Sequence, residues 1–190
     1  WVPLLHKEYA KLLGGYDCLL RGPGLLHAVL RAMTGGVPQA FYLPDDWPDA
    51  DYQCDARQLL TCLRHALAEA WPVVVMWKDS AKLFNGLLPG HPYTILALHE
   101  RSLAGGGSVY LLRVANPWGL KGLWHGPWCY SSEMWDRHPE VEQALGCSVR
   151  GLSAAMDGTF WMDVDAFFTC AAHLVVVQCF HNNVGQGPFY

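Results

Sequence analysis

Apolar positions recur at helical spacing in three stretches of the first part of the chain. Residues 4–13 carry the first pattern and residues 25–33 the second, and a glycine pair follows each of them. The third lies between Asp55, a candidate N-cap, and Pro72, which closes it. Apolar side chains three and four residues apart share one face of a helix, so the sequence predicts three amphipathic helices here.

Short apolar runs predict strands in the rest of the chain. The runs are Val73–Trp77, Gly90–Leu96, Leu111–Gly119, Phe160–Met162 and Leu174–Cys179, and a further one or two helical turns are expected over Asp163–Cys170. Three consecutive glycines separate the second run from the third and indicate a β-hairpin or two neighbouring antiparallel strands. Helices followed by a mostly antiparallel sheet define an α+β fold.

Two stretches show neither the helical spacing of apolar residues nor a strand-like apolar run. Residues 38–53, rich in proline, aspartate and aromatic residues, are expected to form a loop, and residues 119–156 a surface excursion with one short helix near Pro139–Leu145. No internal repeat or boundary is visible, so residues 1–190 are expected to form a single domain.

The composition favours a folded domain without a nucleic-acid partner. Hydrophobic residues make up 52% of the chain and charged residues 16%, and the net charge of −4 gives no basic surface for nucleic acid. The 9 tryptophans suggest a core rich in flat rings and an aromatic-lined groove. No apolar run is long enough for a membrane segment. Because the chain opens on Trp1 rather than methionine, we expect a piece of a longer protein.

The cysteine pattern predicts reduced thiols rather than a disulfide framework. The chain has 7 cysteines, an odd number, and no pair has the Cys-x-x-Cys spacing of a zinc site. We therefore expect mostly buried thiols, a reducing compartment and a cytoplasmic location.

Two polar residues mark the same end of the predicted hairpin. His91 opens its first strand and Asn116 closes its second. In an antiparallel pair these positions meet, and an amide oxygen that orients an imidazole is the supporting part of a cysteine-nucleophile triad. Trp118 could shield their hydrogen bond from water. Taken singly, each residue would more often be structural, His91 as a partly exposed histidine and Asn116 as part of a turn.

Several motifs, in order along the chain, resemble those of calpain-type cysteine peptidases. The sequence Trp1-Val2-Pro3-Leu4-Leu5-x-Lys7-x-Tyr9-Ala10-Lys11-Leu12 resembles the helix that follows the nucleophile half of those enzymes. Gly14-x-Tyr16, Thr34-Gly35-Gly36, Gly90-His91-x-Tyr93, Arg113-x-x-Asn116-Pro117-Trp118-Gly119 and Asp157-Gly158-x-Phe160-Trp161-Met162 are similar to further family motifs. The resemblance implies the second, His/Asn-bearing subdomain of a papain-like core, in which the sheet forms a half-barrel.

The resemblance also implies roles for the hairpin residues. His91 would be general base and acid, Asn116 would orient its ring, and Trp118 would cover the pair. The family's nucleophilic cysteine, in a Gly-x-Cys-Trp motif, and its oxyanion-hole glutamine would lie upstream of Trp1. Pro92 stands where calpains carry a residue with an amide hydrogen, which is compatible with the start of a strand.

The chain's own cysteines are poor candidates for that nucleophile. Cys18, Cys54 and Cys62 precede His91 as the family order requires, but none has the Gly-x-Cys-Trp setting at a helix start. Cys62 is expected to be a core residue of the third helix.

The calcium ligands that the resemblance implies are mostly replaced. Aligning Trp124 and Trp128 with the family's tryptophans puts Leu123 and Tyr130 at two acidic positions, and Thr159 stands at a third. Only Asp157 keeps its carboxylate, and calcium prefers several carboxylate oxygens. We therefore expect no cofactor and a calcium site that has been lost.

The functional hypothesis is that this chain is one half of an intracellular calpain-like endopeptidase and is inactive alone. The complete enzyme would act on protein or peptide substrates through an acyl-enzyme. The partner of this chain would be the upstream subdomain that brings the cysteine. The alternative is a non-catalytic calpain-like scaffold, which retained His91 and Asn116 argue against. A metal-dependent hydrolase ranks last because no ligand cluster accompanies His91.

Overall fold

The structure, a computed structural model, describes residues 2–17, 25–43, 56–78, 85–147, 149–151 and 156–180. It contains two compact units, the first made of residues 1–38 and 179–190 and the second of residues 39–178. The predicted N-cap Asp55 and the end of the predicted loop 38–53 lie outside the described residues. The hairpin and its polar residues belong to the second unit. No helix among the described residues is both long and apolar enough to cross a lipid bilayer.

The first unit holds the two helices predicted near the start of the chain. Helix α1 spans Val2–Leu12 and α2 spans Leu25–Thr34. Within α1, Tyr9 and Ala10 are buried, whereas Leu12 is exposed. Gly35 ends α2 with a positive φ of 67° and donates its N–H to the carbonyl of Arg31. A left-handed residue that satisfies a terminal carbonyl is a common helix stop.

The second unit is built on an open sheet of six strands, counted over the described residues. In chain order its elements are β1 (Val37–Tyr42, which begins in the first unit), α3 (Ala56–Ala68), β2 (Val73–Trp77), β3 (Pro92–Ser102), β4 (Ser108–Ala115), α4 (Met134–Arg137), α5 (Pro139–Leu145), β5 (Thr159–Asp163), α6 (Val164–Cys170) and β6 (Ala171–Gln178). The strand order is β1-β6-β2-β3-β4-β5, and β2, β3, β4, β5 and β6 pair antiparallel. The predicted α+β class is confirmed.

Helix α3 supplies one wall of the main core. Leu59, Leu63 and Ala66 lie on one helical face and are fully buried in the cluster that also holds Val73 and Val75 of β2. Burying a leucine side chain contributes about 1.5–3 kcal/mol, so this face fixes α3 against the sheet. The spacing that predicted the helix is the spacing that buries it.

Strand β1 corrects part of the predicted loop 38–53. Residues 38–42 are extended, and β1 occupies the edge of the sheet beside β6. After the strand, the Leu43 N–H donates to the carbonyl of Ala172 at 3.0 Å. Pro38 has no N–H, which an edge strand tolerates and a central strand does not. The proline that suggested a loop is therefore compatible with an edge strand.

The predicted surface excursion 119–156 is also wrong in part. The helix near Pro139–Leu145 is present as α5, but α4 was not expected, and the segment is not superficial. Trp128, Trp135 and Val141 are buried and form a second core against Leu111 and Trp161 of the sheet. Trp128 lies in a loop and Trp135 on the short helix α4, so these aromatic side chains build a core without the regular spacing of one long helix face.

The hairpin has the predicted antiparallel register. Thr94 faces Ala115 near one end and Ser102 faces Ser108 at the other, beside the glycine-rich turn. One extra residue, Leu96, forms a bulge in β3. The start of β3 and the end of β4 therefore lie together at the end of the hairpin far from its turn.

Candidate active site

His91 and Asn116 come together at that end of the hairpin. His91 directly precedes β3, and Asn116 directly follows β4. Since Thr94 faces Ala115, continuing the register brings the Asn116 backbone beside Tyr93. Pro92 begins β3 opposite Met76 of β2, so the proline fits the strand without disturbing the hairpin.

The His91 ring contacts two aromatic side chains. The Trp118 indole covers it with ring centroids 3.8 Å apart and planes tilted by 31°, and the Tyr93 ring meets it edge-on at 5.4 Å. Trp118 itself is 62% exposed, so its other face is open to solvent. Burial lowers the pKa of His91 and thus favours the neutral imidazole, the form that can accept a proton.

Asn116 is the polar side chain that acts on this ring. Its interaction with His91 raises the imidazole pKa and partly opposes the effect of burial. The ring Nε2 is buried, however, and makes no well-formed hydrogen bond within the described part of the chain. The two side chains are therefore adjacent but not aligned in this state, and such contacts commonly tighten only when substrate binds.

The orientation of the Asn116 amide is set by backbone groups. Its Oδ1 accepts from the Trp118 N–H at 3.0 Å, and its Nδ2 donates to the carbonyl of Lys121. The residue is only 2% exposed, so water does not compete for these bonds. Because both the oxygen and the nitrogen of this buried amide are hydrogen-bonded, their positions are fixed.

The turn after Asn116 depends on a close approach by Gly158. The Asn116 N–H donates to the carbonyl of Gly158 at 2.9 Å. The Asn116 carbonyl in turn accepts from the N–H of Gly119 at 3.1 Å. Gly158 has a φ of +80°, and a Cβ there would lie 2.5 Å from the Asn116 carbonyl oxygen. Only glycine fits this position without a backbone shift.

The residues aligned with calcium ligands have other partners. One oxygen of Asp157 accepts from the Thr159 N–H at 2.9 Å and from its hydroxyl at 2.7 Å, and these bonds lower the carboxyl pKa. The other oxygen lies 3.4 Å from a nitrogen of Arg113. Leu123 is buried in the main core. Over the residues described, no three His, Cys, Asp or Glu side chains cluster as a metal site would require.

Three of the described cysteines lack the setting of an activated nucleophile. Burial raises the pKa of the Cys170 thiol to about 11, and Cys129 is buried as well. A nucleophilic thiol needs a lowered pKa and access to solvent. Cys62, on α3, is partly buried against the main core, whereas Cys18 and Cys54 lie outside the described residues.

Comparison with known proteins matches residues 1–178 to the family described as "Calpain family cysteine protease". The chain belongs to the calpain family. Among curated relatives, this calpain-family chain is 37% identical to mouse Calpain-12 over 182 residues, which is 94% of the chain and 22% of that protein. It is 36% identical to Calpain clp-1 of Caenorhabditis elegans over 88% of the chain and 20% of that protein, and 34% identical to rat Calpain-9 over 89% and 23%.

This calpain-family chain thus spans about a fifth of the length of these relatives.

Three structural contributors to the site were not predicted from the residues: the Tyr93 hydroxyl, the Lys121 carbonyl and the contact with Gly158. Tyr93 and Gly158 belong to motifs that resemble those of calpains, and this was their signal in the sequence. Backbone carbonyls leave no signal of their own, because every residue carries one.

Proposed function

We propose that this chain is the His/Asn-contributing half of an intracellular calpain-type cysteine endopeptidase. The observation that carries the proposal is the half-buried His91 ring, whose pKa burial lowers, beside Asn116 and under Trp118, within a calpain-family chain. The substrates are proteins or peptides, held in a cleft that this chain shares with an upstream subdomain. Alone it is inactive, because a base without a nucleophile forms no acyl-enzyme.

In the proposed reaction His91 moves the proton. It takes the proton from a cysteine thiol of the upstream subdomain, and the thiolate attacks the peptide carbonyl. The imidazolium then returns the proton to the departing amine, and water, activated by the same ring, hydrolyses the thioester. Asn116 holds the ring between these steps, while Trp118 excludes water from one of its faces. General acid–base transfer of this kind contributes about 10²–10⁴-fold in rate.

Replacing His91 tests the proposal in the full-length protein. His91→Ala should abolish peptide cleavage, while Asn116→Ala should lower kcat and leave the thiol intact to labelling. His65→Ala is the matched control, because His65 is an exposed histidine of α3. Normal turnover by full-length His91→Ala would refute the assignment. An inactive wild-type protein that still binds peptide partners would instead favour the scaffold.

We further propose that this chain has lost the calcium site implied by its resemblance to classical calpains. Leu123 lies in the apolar core, Thr159 is bonded to Asp157, and the Arg113 guanidinium provides a positive charge at the remaining carboxylate. These residues do not fit an ion that needs several carboxylate oxygens. Titration calorimetry should therefore give no micromolar calcium binding, and such binding that is lost in Asp157→Ala would contradict the proposal.

A further inference from the structure

The Tyr93 hydroxyl joins two segments that flank the candidate site. Tyr93 is fully buried, and its hydroxyl donates to the carbonyl of Gly122 at 2.7 Å. The same oxygen accepts from the Leu88 N–H at 3.2 Å. Both partners are backbone groups outside helices and strands, so they have no partner in a regular hydrogen-bond ladder. The single hydroxyl oxygen provides a hydrogen bond to each of them.

Each segment leads to one residue of the His91–Asn116 pair, called the dyad below. Leu88 precedes the turn at Gly90, which has a φ of 65° and delivers His91 to the start of β3. On the other side, Gly122 follows Lys121, whose carbonyl accepts from the Asn116 amide. The Tyr93 ring also contacts the His91 ring edge-on, with planes at 76°. A movement of the hydroxyl would therefore reach His91 and Asn116 together.

The geometry around Gly122 shows that this junction is closely packed. Gly122 has a φ of +83°, and a Cβ at this position would lie 2.5 Å from the Tyr93 hydroxyl oxygen and 2.6 Å from Cγ of Leu88. Real Cβ atoms do not approach so closely, so the backbone of Gly122 reaches the hydroxyl only because it has no side chain.

We infer that Tyr93 is a positioning residue for the proposed reaction, whose hydroxyl sets the spacing and orientation of His91 relative to Asn116. This inference rests on the proposed function for its catalytic consequence, but the positioning itself can be measured without catalysis. A tyrosine that only filled the core would act through its ring, and phenylalanine would replace it. A positioning tyrosine acts through its oxygen, so removing that atom should change the His91 ring.

The first measurement is an NMR titration of the histidine rings in the 190-residue chain. In Tyr93→Phe the two segments are released and water reaches the ring, so the His91 midpoint should rise from its lowered value toward that of an ordinary histidine. Tyr110→Phe is the matched control, because it removes a hydroxyl that bonds Glu100 on the same hairpin, away from the dyad. An unchanged His91 titration in folded Tyr93→Phe would overturn the inference.

A second variant covers the case in which Tyr93→Phe does not fold. Gly122→Ala keeps the hydroxyl but forces it away from the Gly122 backbone, so it should move the His91 midpoint in the same direction. If Gly122→Ala is folded and its His91 titration matches the wild type, the inference is wrong.

Kinetics of the full-length protein separate this inference from the proposed function. Tyr93→Phe should lower kcat about tenfold and leave KM within about twofold, since misplaced catalytic groups slow the chemical step more than binding. If the wild type cleaves peptides and Tyr93→Phe retains its full kcat, the positioning role fails while the proposed function stands. If the wild type does not cleave peptides, the proposed function fails, and the NMR titration still decides the positioning role.

Discussion

Gly158→Ala should destabilise the second unit more than an ordinary glycine substitution does. An L-residue at a φ of +80° costs about 1–2 kcal/mol from left-handed backbone strain alone. The new Cβ would also lie 2.5 Å from the Asn116 carbonyl oxygen and 3.0 Å from the Gly119 Cα, both backbone atoms that cannot rotate away. Overpacking of this kind costs about 1–3 kcal/mol more, so the total is about 2–5 kcal/mol.

Gly146→Ala separates the two contributions. Gly146 ends α5 with a φ of +64°, but a Cβ there meets no atom of the described residues within 4 Å. It should therefore show the backbone strain of about 1–2 kcal/mol without the steric part. Urea unfolding of both variants, analysed by linear extrapolation, gives the difference directly.

Equal losses in the two variants would refute this reasoning, because the contact between Gly158 and the Asn116 turn would then have no energetic weight. A change in the slope of the unfolding free energy against urea concentration, rather than in the midpoint, would indicate that the compactness of the unfolded state had changed instead. A larger loss in Gly158→Ala than in Gly146→Ala would show that the contact between Gly158 and the Asn116 turn contributes to stability.

Two further predictions concern titrating groups. Burial, followed by the nearby charges of Arg101 and Arg113, lowers the pKa of His99, so the unfolded chain binds more protons below about pH 6.5 than the folded chain does. Stability should therefore fall as the pH drops below about 6.5, and urea unfolding of His99→Gln should show a shallower fall; an identical pH dependence would contradict this assignment. The exposed Cys147 should react with a thiol reagent in the native state well before Cys170, whose pKa burial raises to about 11, and equal rates measured by mass spectrometry would contradict the buried placement.

The elements that local spacing controls were predictable from the sequence. Helix α3 and the hairpin follow from regular apolar positions, and the register of the hairpin placed His91 near Asn116. Strand β1 was missed because its neighbour, β6, lies more than a hundred residues later in the chain. Propensity does not report a distant partner, and Pro38 favoured a loop.

The second core and the setting of the dyad were hidden for a different reason. Trp128 and Trp135 are buried without any helical or strand period, so no pattern distinguished them from surface residues. The two hydrogen-bond partners of the Tyr93 hydroxyl among the described residues are backbone groups, whose positions depend on the folded loops. The sequence therefore indicated the polar side chains of the site. The groups that hold them in place became visible only in the folded structure.

The two ends of the hairpin offer different uses to an experimenter. Strand β3 has 11 residues, so the glycine turn at 105–107 lies about 30 Å or more from the dyad at the other end. Apart from its chain neighbours, no atom in the part of the chain that the structure describes lies within 4 Å of a Cβ placed on any of these three glycines. A fluorescent peptide tag or an affinity handle inserted at this tip would protrude into solvent, since exposed loop tips tolerate insertion best. The same chain could then be immobilised or tracked with its dyad end left free.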